Sequence, residues 1–212
     1  MYKRQTLIAR GEHLKKIQKQ GLTLEKMWDK TEENISIPAT DMEHYAEHPD
    51  VIFVCVKGYS LQETIPFIKR IARKNTIVIP VLNIYGTGGK MQKELPDLLV
   101  TDGCIYVSAN IKEPGKLLQH GQILHIVFGV RDKAEFRPEL KEIQKDLCDS
   151  HIDGTLSENI RREALEKFSY VSPIGAAGLY YHATAADFQK EGEARELFKT
   201  LIREIVTLAN AM

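Results

Sequence analysis

The chain has 212 residues, 43% of them hydrophobic, enough for one large domain or two small ones with a sizeable core. Lysine plus arginine and aspartate plus glutamate both number 29, so the sequence offers none of the concentrated basic surface that nucleic acid requires. Cys55, Cys104 and Cys148 are too few and too scattered for a disulfide framework, which points to a reducing, cytoplasmic setting, and no apolar run approaches the roughly 20 residues of a membrane span or the core of a secretory signal.

Residues 6–10 form a short apolar run stopped by Gly11, and residues 12–20 place Leu14 and Ile17 three apart before Gly21, which predicts a strand and then a helix. Residues 51–56 are continuously apolar and end at Lys57-Gly58, the pattern of a strand buried on both faces. Ile65, Ile68 and Ile71, with Phe67 and Ala72, predict a short helix, and residues 76–82 a second buried strand, so the alternation reads as a βαβ unit. Residues 104–108 and 123–128 are further strands, separated by the turn Glu113-Pro114-Gly115, that extend the sheet. Leu140, Ile143 and Leu147 form a helical stripe, and Ser157 is predicted to cap a helix that starts near Ile160. From there the pattern stays helical, and Leu197, Phe198, Leu201, Ile202, Ile205 and Leu208 give an apolar face suited to further helices or a second subunit. The fold class is α/β: a mostly parallel sheet over residues 1–157, then helices over 158–212.

In open α/β sheets the ligand lies outside the carboxyl ends of the strands, which singles out Arg10, Lys57 and Asn83. A cation ending the second strand of a dinucleotide fold suits a 2′-phosphate and hence NADP, although a solvated arginine after a strand reads the same way. Lys57 precedes Gly58, which admits close backbone approach, and Asn83 opens a loop containing Gly86, Gly88 and Gly89; each also reads as ordinary strand-end or turn chemistry. Gly86-Thr87-Gly88-Gly89-Lys90 is not an ATP-type phosphate loop, because Met91 stands where Ser or Thr would follow the lysine, and no G-x-G-x-x-G occurs anywhere. His44 and His48 are four apart among Asp41, Glu43 and Glu47 but find no third metal ligand, and Ser172 lies outside any G-x-S-x-G elbow. Lys167 can polarise a carbonyl and supply a proton, or simply pair with Glu163 at i,i+4 spacing.

In order, residues 6–11, 50–59, Leu82-Asn83 with its glycine loop, 103–115, and 162–167 running into Ser172-Pro173 resemble the 2-dehydropantoate 2-reductases (ketopantoate reductases). The resemblance implies an incomplete Rossmann-like, doubly wound NADP-binding domain followed by the start of a helical substrate and dimerisation domain. It implies NADPH-dependent reduction of 2-dehydropantoate to (R)-pantoate, in pantothenate and coenzyme A biosynthesis. Arg10 would hold the 2′-phosphate, Lys57 and Asn83 would line the cofactor site with Ala109 as a further candidate, and Lys167 would be the general acid. The family's first strand and glycine fingerprint are expected ahead of Tyr2, and its later helices beyond Met212. Val171 and Gly175 stand where well-known members carry Asn, and Ile84 replaces the glycine after the loop Asn, which suggests a divergent branch acting on 2-dehydropantoate or a related 2-oxo acid. The alternative is a shortened, non-catalytic member serving as a binding or oligomerisation module, with a homodimer as its natural assembly.

Overall fold

The computed structural model describes residues 4–211, in which strands and helices alternate before the chain ends on a helical pair. The first strand, β1 (Leu7–Ile8), leads into α1 (Gly11–Gln20), which buries Leu14 and Ile17 as their spacing requires. An antiparallel hairpin, β2 (Leu22–Lys26) and β3 (Thr31–Ile35), follows, and β4 (Ala39–Thr40) returns parallel to β1. Next come β5 (Val51–Val54), α2 (Leu61–Ile71), β6 (Ile77–Pro80), α3 (Thr87–Glu94) and β7 (Leu99–Val100), whose strands make the parallel sheet β5-β6-β7. A long ribbon of β8 (Asp102–Glu113) antiparallel to β9 (Lys116–Gly129) carries β2 and β10 (Asp153–Leu156) parallel to β9, with α4 (Glu139–Asp149) before β10. Two helices close the chain, α5 (Ile160–Tyr181) and α6 (Glu193–Ala211).

The core is organised by β6, every residue of which is buried. Because side chains alternate across a strand, Val78 joins Val54, Ile65, Ile68, Met91 and Val100 beneath α2 and α3, whereas Ile77 and Ile79 join Ile126, Phe128, Leu140 and Leu147 beneath α4. One strand thus feeds two apolar layers, the arrangement of a doubly wound sheet. The helical pair is held differently: Phe198 of α6 stacks on Phe188 at 5.1 Å and meets Tyr170 of α5 edge-on at 5.8 Å. No side chain of α6 is buried among the described residues, and none of the described helices is long and apolar enough to cross a membrane.

Three local expectations change. Residues 51–56 do not form a strand buried on both faces: β5 stops at Val54, pairs only with β6, and leaves Phe53 38% exposed. It is an edge strand, since β1 pairs with β4 alone, and an edge presents unpaired backbone groups and apolar side chains to solvent. The strands at 104–108 and 123–128 run much further than their apolar cores and form a second, partly antiparallel sheet rather than extending the first. Ser157 is not the cap of α5. Asn159 is, accepting from the Arg162 N–H at 3.3 Å, while Ser157 Oγ accepts from the Asn159 N–H at 3.0 Å and donates to Glu163 at 2.8 Å.

Candidate active site

Arg10, Lys57 and Asn83 all lie exposed just past the carboxyl ends of parallel strands, β1, β5 and β6 respectively. Arg10 caps α1 in extended conformation, and its guanidinium sits 3.6 Å from the carboxylate of Glu63 in the first turn of α2. That contact ties the end of β1 to the helix that follows Lys57. Lys57 itself opens a short turn, Gly58 to Ser60, leading into α2. A Cβ on Gly58 would meet Cδ1 of Ile84, the mobile end of that side chain, so the two strand-end loops abut at this point. Asn83 and Lys57 therefore sit on neighbouring loops, brought together by a contact between Gly58 and Ile84.

The same loop reaches α5. The ring of Tyr85 lies 6.1 Å from that of Phe168, the residue after Lys167. Lys167 is 8% exposed, its ammonium donates to the carbonyl of Ile105 on β8, and it lies 4.7 Å from the centre of the Tyr106 ring. Burial pushes its pKa below the ordinary lysine value, because removing an ammonium from water disfavours its charged form. The pairing of Lys167 with Glu163 does not form: Glu163 is taken by Ser157, and Arg162 pairs with Glu166 at 2.8 Å instead. Ala109 stands apart. It is exposed opposite Gln119 on the β8–β9 ribbon, four residues beyond Ile105 and so roughly 13 Å along the strand.

Sequence reasoning did not reveal the partners of Lys167. Ile105 and Tyr106 read as strand, and nothing local says that a lysine 62 residues later seeks the Ile105 carbonyl. A second missed group lies behind the loop, where the buried side chains of Asp102 and Arg131 approach to 3.7 Å against Gly88 at the start of α3. The two histidines do not come together: His44 Nδ1 contacts Asp41 at 2.8 Å, and His48 Nδ1 contacts the Ile71 carbonyl at 2.8 Å. Among the described residues no cluster of three or more His, Cys, Asp or Glu is placed to hold a metal, and the three cysteines are free.

The family model for ketopantoate reductase PanE/ApbA matches residues 3–133. The chain is similar to the 2-dehydropantoate 2-reductase of Pyrococcus horikoshii, 29% identical over 182 residues that cover 81% of this chain and 55% of that protein. It is also similar to the 2-dehydropantoate 2-reductase of Aquifex aeolicus, 20% identical over 166 residues, covering 78% and 54%. It therefore spans about half the length of the curated relatives it matches. In fold it is similar to D-mandelate dehydrogenase, solved as a ternary structure with NADH and anilino(oxo)acetate, at a TM-score of 0.85 and 18% identity over 97% of this chain and 66% of that one.

Proposed function

The chain belongs to the ketopantoate reductase PanE/ApbA family, and from that premise we propose that it is an NADPH-dependent reductase of 2-dehydropantoate or a related small 2-oxo acid. The observation that carries this reading is a buried lysine, Lys167, on the helix that meets the loop of Asn83 through Tyr85 and Phe168. One N–H of its ammonium is committed to Ile105, leaving two to donate to a substrate carbonyl oxygen. Lys167 would stabilise negative charge developing on that oxygen and deliver the proton that completes the alcohol. A bound nicotinamide supplies the hydride.

The donor set fits a phosphorylated dinucleotide: the guanidinium of Arg10, the ammonium of Lys57 and the amide of Asn83 lie exposed at adjoining strand ends. Arg10 would take the 2′-phosphate, Lys57 and Asn83 the nicotinamide half, and Ala109 would contribute at most backbone contact from the ribbon. We assign residues 1–157 to cofactor binding and 158–212 to the beginning of the substrate and dimerisation part, with a homodimer joined through α5 and α6. Three free cysteines support a reducing, cytoplasmic setting.

The test is direct titration of NADPH fluorescence, followed by turnover of 2-dehydropantoate and other 2-oxo acids. Binding in the micromolar to millimolar range with turnover is expected, whereas a chain that neither binds nor turns over would sink the reading. The binding-module alternative draws on the helical pair, where Leu179 is 82% and Tyr180 73% exposed. Self-association without cofactor binding would favour it.

A second outcome concerns cofactor choice. Glu63 competes with a 2′-phosphate for Arg10, so Glu63→Gln is expected to tighten NADPH several-fold and leave NADH unchanged. Arg10→Ala should weaken NADPH by about tenfold, close to one charge-assisted hydrogen bond, with little change for NADH. Parallel titrations of both cofactors read the effect; equal losses for the two would remove Arg10 from the phosphate site.

A further inference from the structure

We propose that Tyr106 and His125 are positioning residues for Lys167: the ring of Tyr106 keeps its ammonium charged and aimed, and His125 holds that ring in place. The consequence for catalysis rests on the reductase reading above; the hold on Lys167 does not.

An ammonium at the end of a four-carbon stem swivels, and the one bond to the Ile105 carbonyl fixes a single direction. The Tyr106 ring fixes a second. Its centre lies 4.7 Å from Nζ, well inside the reach of a cation–π contact. The face of a ring offers negative potential but no lone pair, so it offsets part of the cost of burying Lys167 without occupying the two remaining N–H groups. A carboxylate in its place would hold the charge more strongly and take up those donors. The carboxylates that act on Tyr106, Glu163 and Glu166, are engaged elsewhere, with Ser157 and Arg162, each at 2.8 Å.

Tyr106 does not hold its place alone. It faces His125 in the β8–β9 register, and the two rings stack at 5.4 Å with their planes 21° apart. His125 is set in turn by β10: Nε2 lies 3.1 Å from Oγ1 of Thr155, and Nδ1 lies 3.8 Å from the Asp153 carboxylate. The Tyr106 hydroxyl is bonded to the thiol of Cys104, which shares its face of β8. A continuous line of contacts therefore runs from β10 through β9 and β8 to Nζ on α5, and a ring fixed at both its face and its hydroxyl aims an ammonium that a free ring would let turn. The titratable and charged groups around Lys167 on these elements are Cys104 and Tyr106 on β8, Glu163 and Glu166 on α5, His125 on β9 and Asp153 on β10. Replacing Tyr106 by leucine or by phenylalanine leaves all the others in place, so a difference between those two variants reports the ring.

The experiment follows Lys167 by NMR titration of its Cε resonance, assigned with Lys167→Arg, alongside the pH profile of kcat for a 2-oxo acid with NADPH. Tyr106→Leu is expected to lower the Lys167 pKa by about 0.5 to 1.5, moving the alkaline limb of kcat down with it, while NADPH affinity is unchanged. Tyr106→Phe keeps the ring and should titrate as the original chain does. His125→Ala frees the ring and should give a smaller shift in the same direction; no shift overturns the part of His125 and, where Tyr106→Leu does not fold, the whole. A tyrosine that merely filled space would lower Tm on replacement by leucine and leave the titration where it was, which overturns the proposal. If the titration moves as expected yet no chain turns over a 2-oxo acid, the reductase reading falls and the hold on Lys167 stands.

Discussion

Lys167→Ala is expected to lower kcat for a 2-oxo acid by about 10²- to 10⁴-fold, the usual worth of a positioned general acid, while NADPH affinity stays essentially unchanged. The separation follows from geometry. Lys167 lies on α5 against β8, bonded to the Ile105 carbonyl, whereas the groups assigned to the cofactor follow β1, β5 and β6. A variant that lost both properties together would point instead to a lysine that merely holds α5 on the sheet. The pH profile gives a second reading that a structural role would not move. A general acid must be protonated, so the rate falls as pH rises through its pKa, and burial sets that pKa below the ordinary value of 10.5. The alkaline limb of kcat should therefore begin below the usual lysine range and be missing from the residual activity of Lys167→Ala. Stability runs in the opposite direction with pH. Between the lowered folded pKa and the ordinary unfolded one, the unfolded chain binds the extra proton, so stability rises with pH across that window, and Lys167→Met should flatten the rise.

The strands and helices that could be read from the sequence are those whose burial is local and regular. Residues 77–80 are apolar without interruption and are fully buried as β6, and the spacing of Leu140, Ile143 and Leu147 returns as the buried stripe of α4. The hairpin β2–β3 left no such trace, because every residue of β3 is exposed and Thr31-Glu32-Glu33-Asn34-Ile35 carries no apolar alternation. Its register is supported by surface ion pairs such as Lys26 with Glu33 at 2.5 Å, which carry no periodic signal. The outer half of β8 escaped for the same reason: residues 107–113 are exposed, and only its inner end touches the core. For the site, strand ends marked Arg10, Lys57 and Asn83 in advance because chain direction alone decides where a parallel strand stops. What joins them was not visible. The contact of Ile84 over Gly58, and that of Tyr85 with Phe168, link residues far apart in sequence, and each depends on how loops from separate strands settle.

Gly88 should prove the least replaceable residue of the loop that carries Asn83. A Cβ built there collides with the carbonyl oxygen of Thr101 and with Oδ1 of Asp102, and would stand 2.7 Å from the Arg131 guanidinium. None of the three can withdraw cheaply. Thr101 is fixed through its N–H to the Val78 carbonyl at 3.0 Å, and Asp102 and Arg131 are a buried pair with side chains only 10% and 12% exposed. Arg131 also donates to Gln92 at 3.3 Å, and the same Gln92 accepts from the Val100 N–H at 3.1 Å, so the pair is tied to α3 and β7 together. The first turn of α3 must then move, taking the Asn83 loop with it. Overpacking of this kind costs about 1–3 kcal/mol, which for a chain of this size lowers Tm by roughly 3–10 °C. NADPH affinity should fall alongside, since Asn83 and Ile84 shift relative to Gly58. Gly89→Ala is the control: its Cβ would meet only Arg131, at 4.0 Å, and alanine is the better helix former by up to about 1 kcal/mol. Thermal melts and cofactor titrations of the two variants side by side decide the matter. If Gly88→Ala melted no lower than Gly89→Ala, the contact of α3 with Thr101 and the Asp102–Arg131 pair would not be what holds the loop.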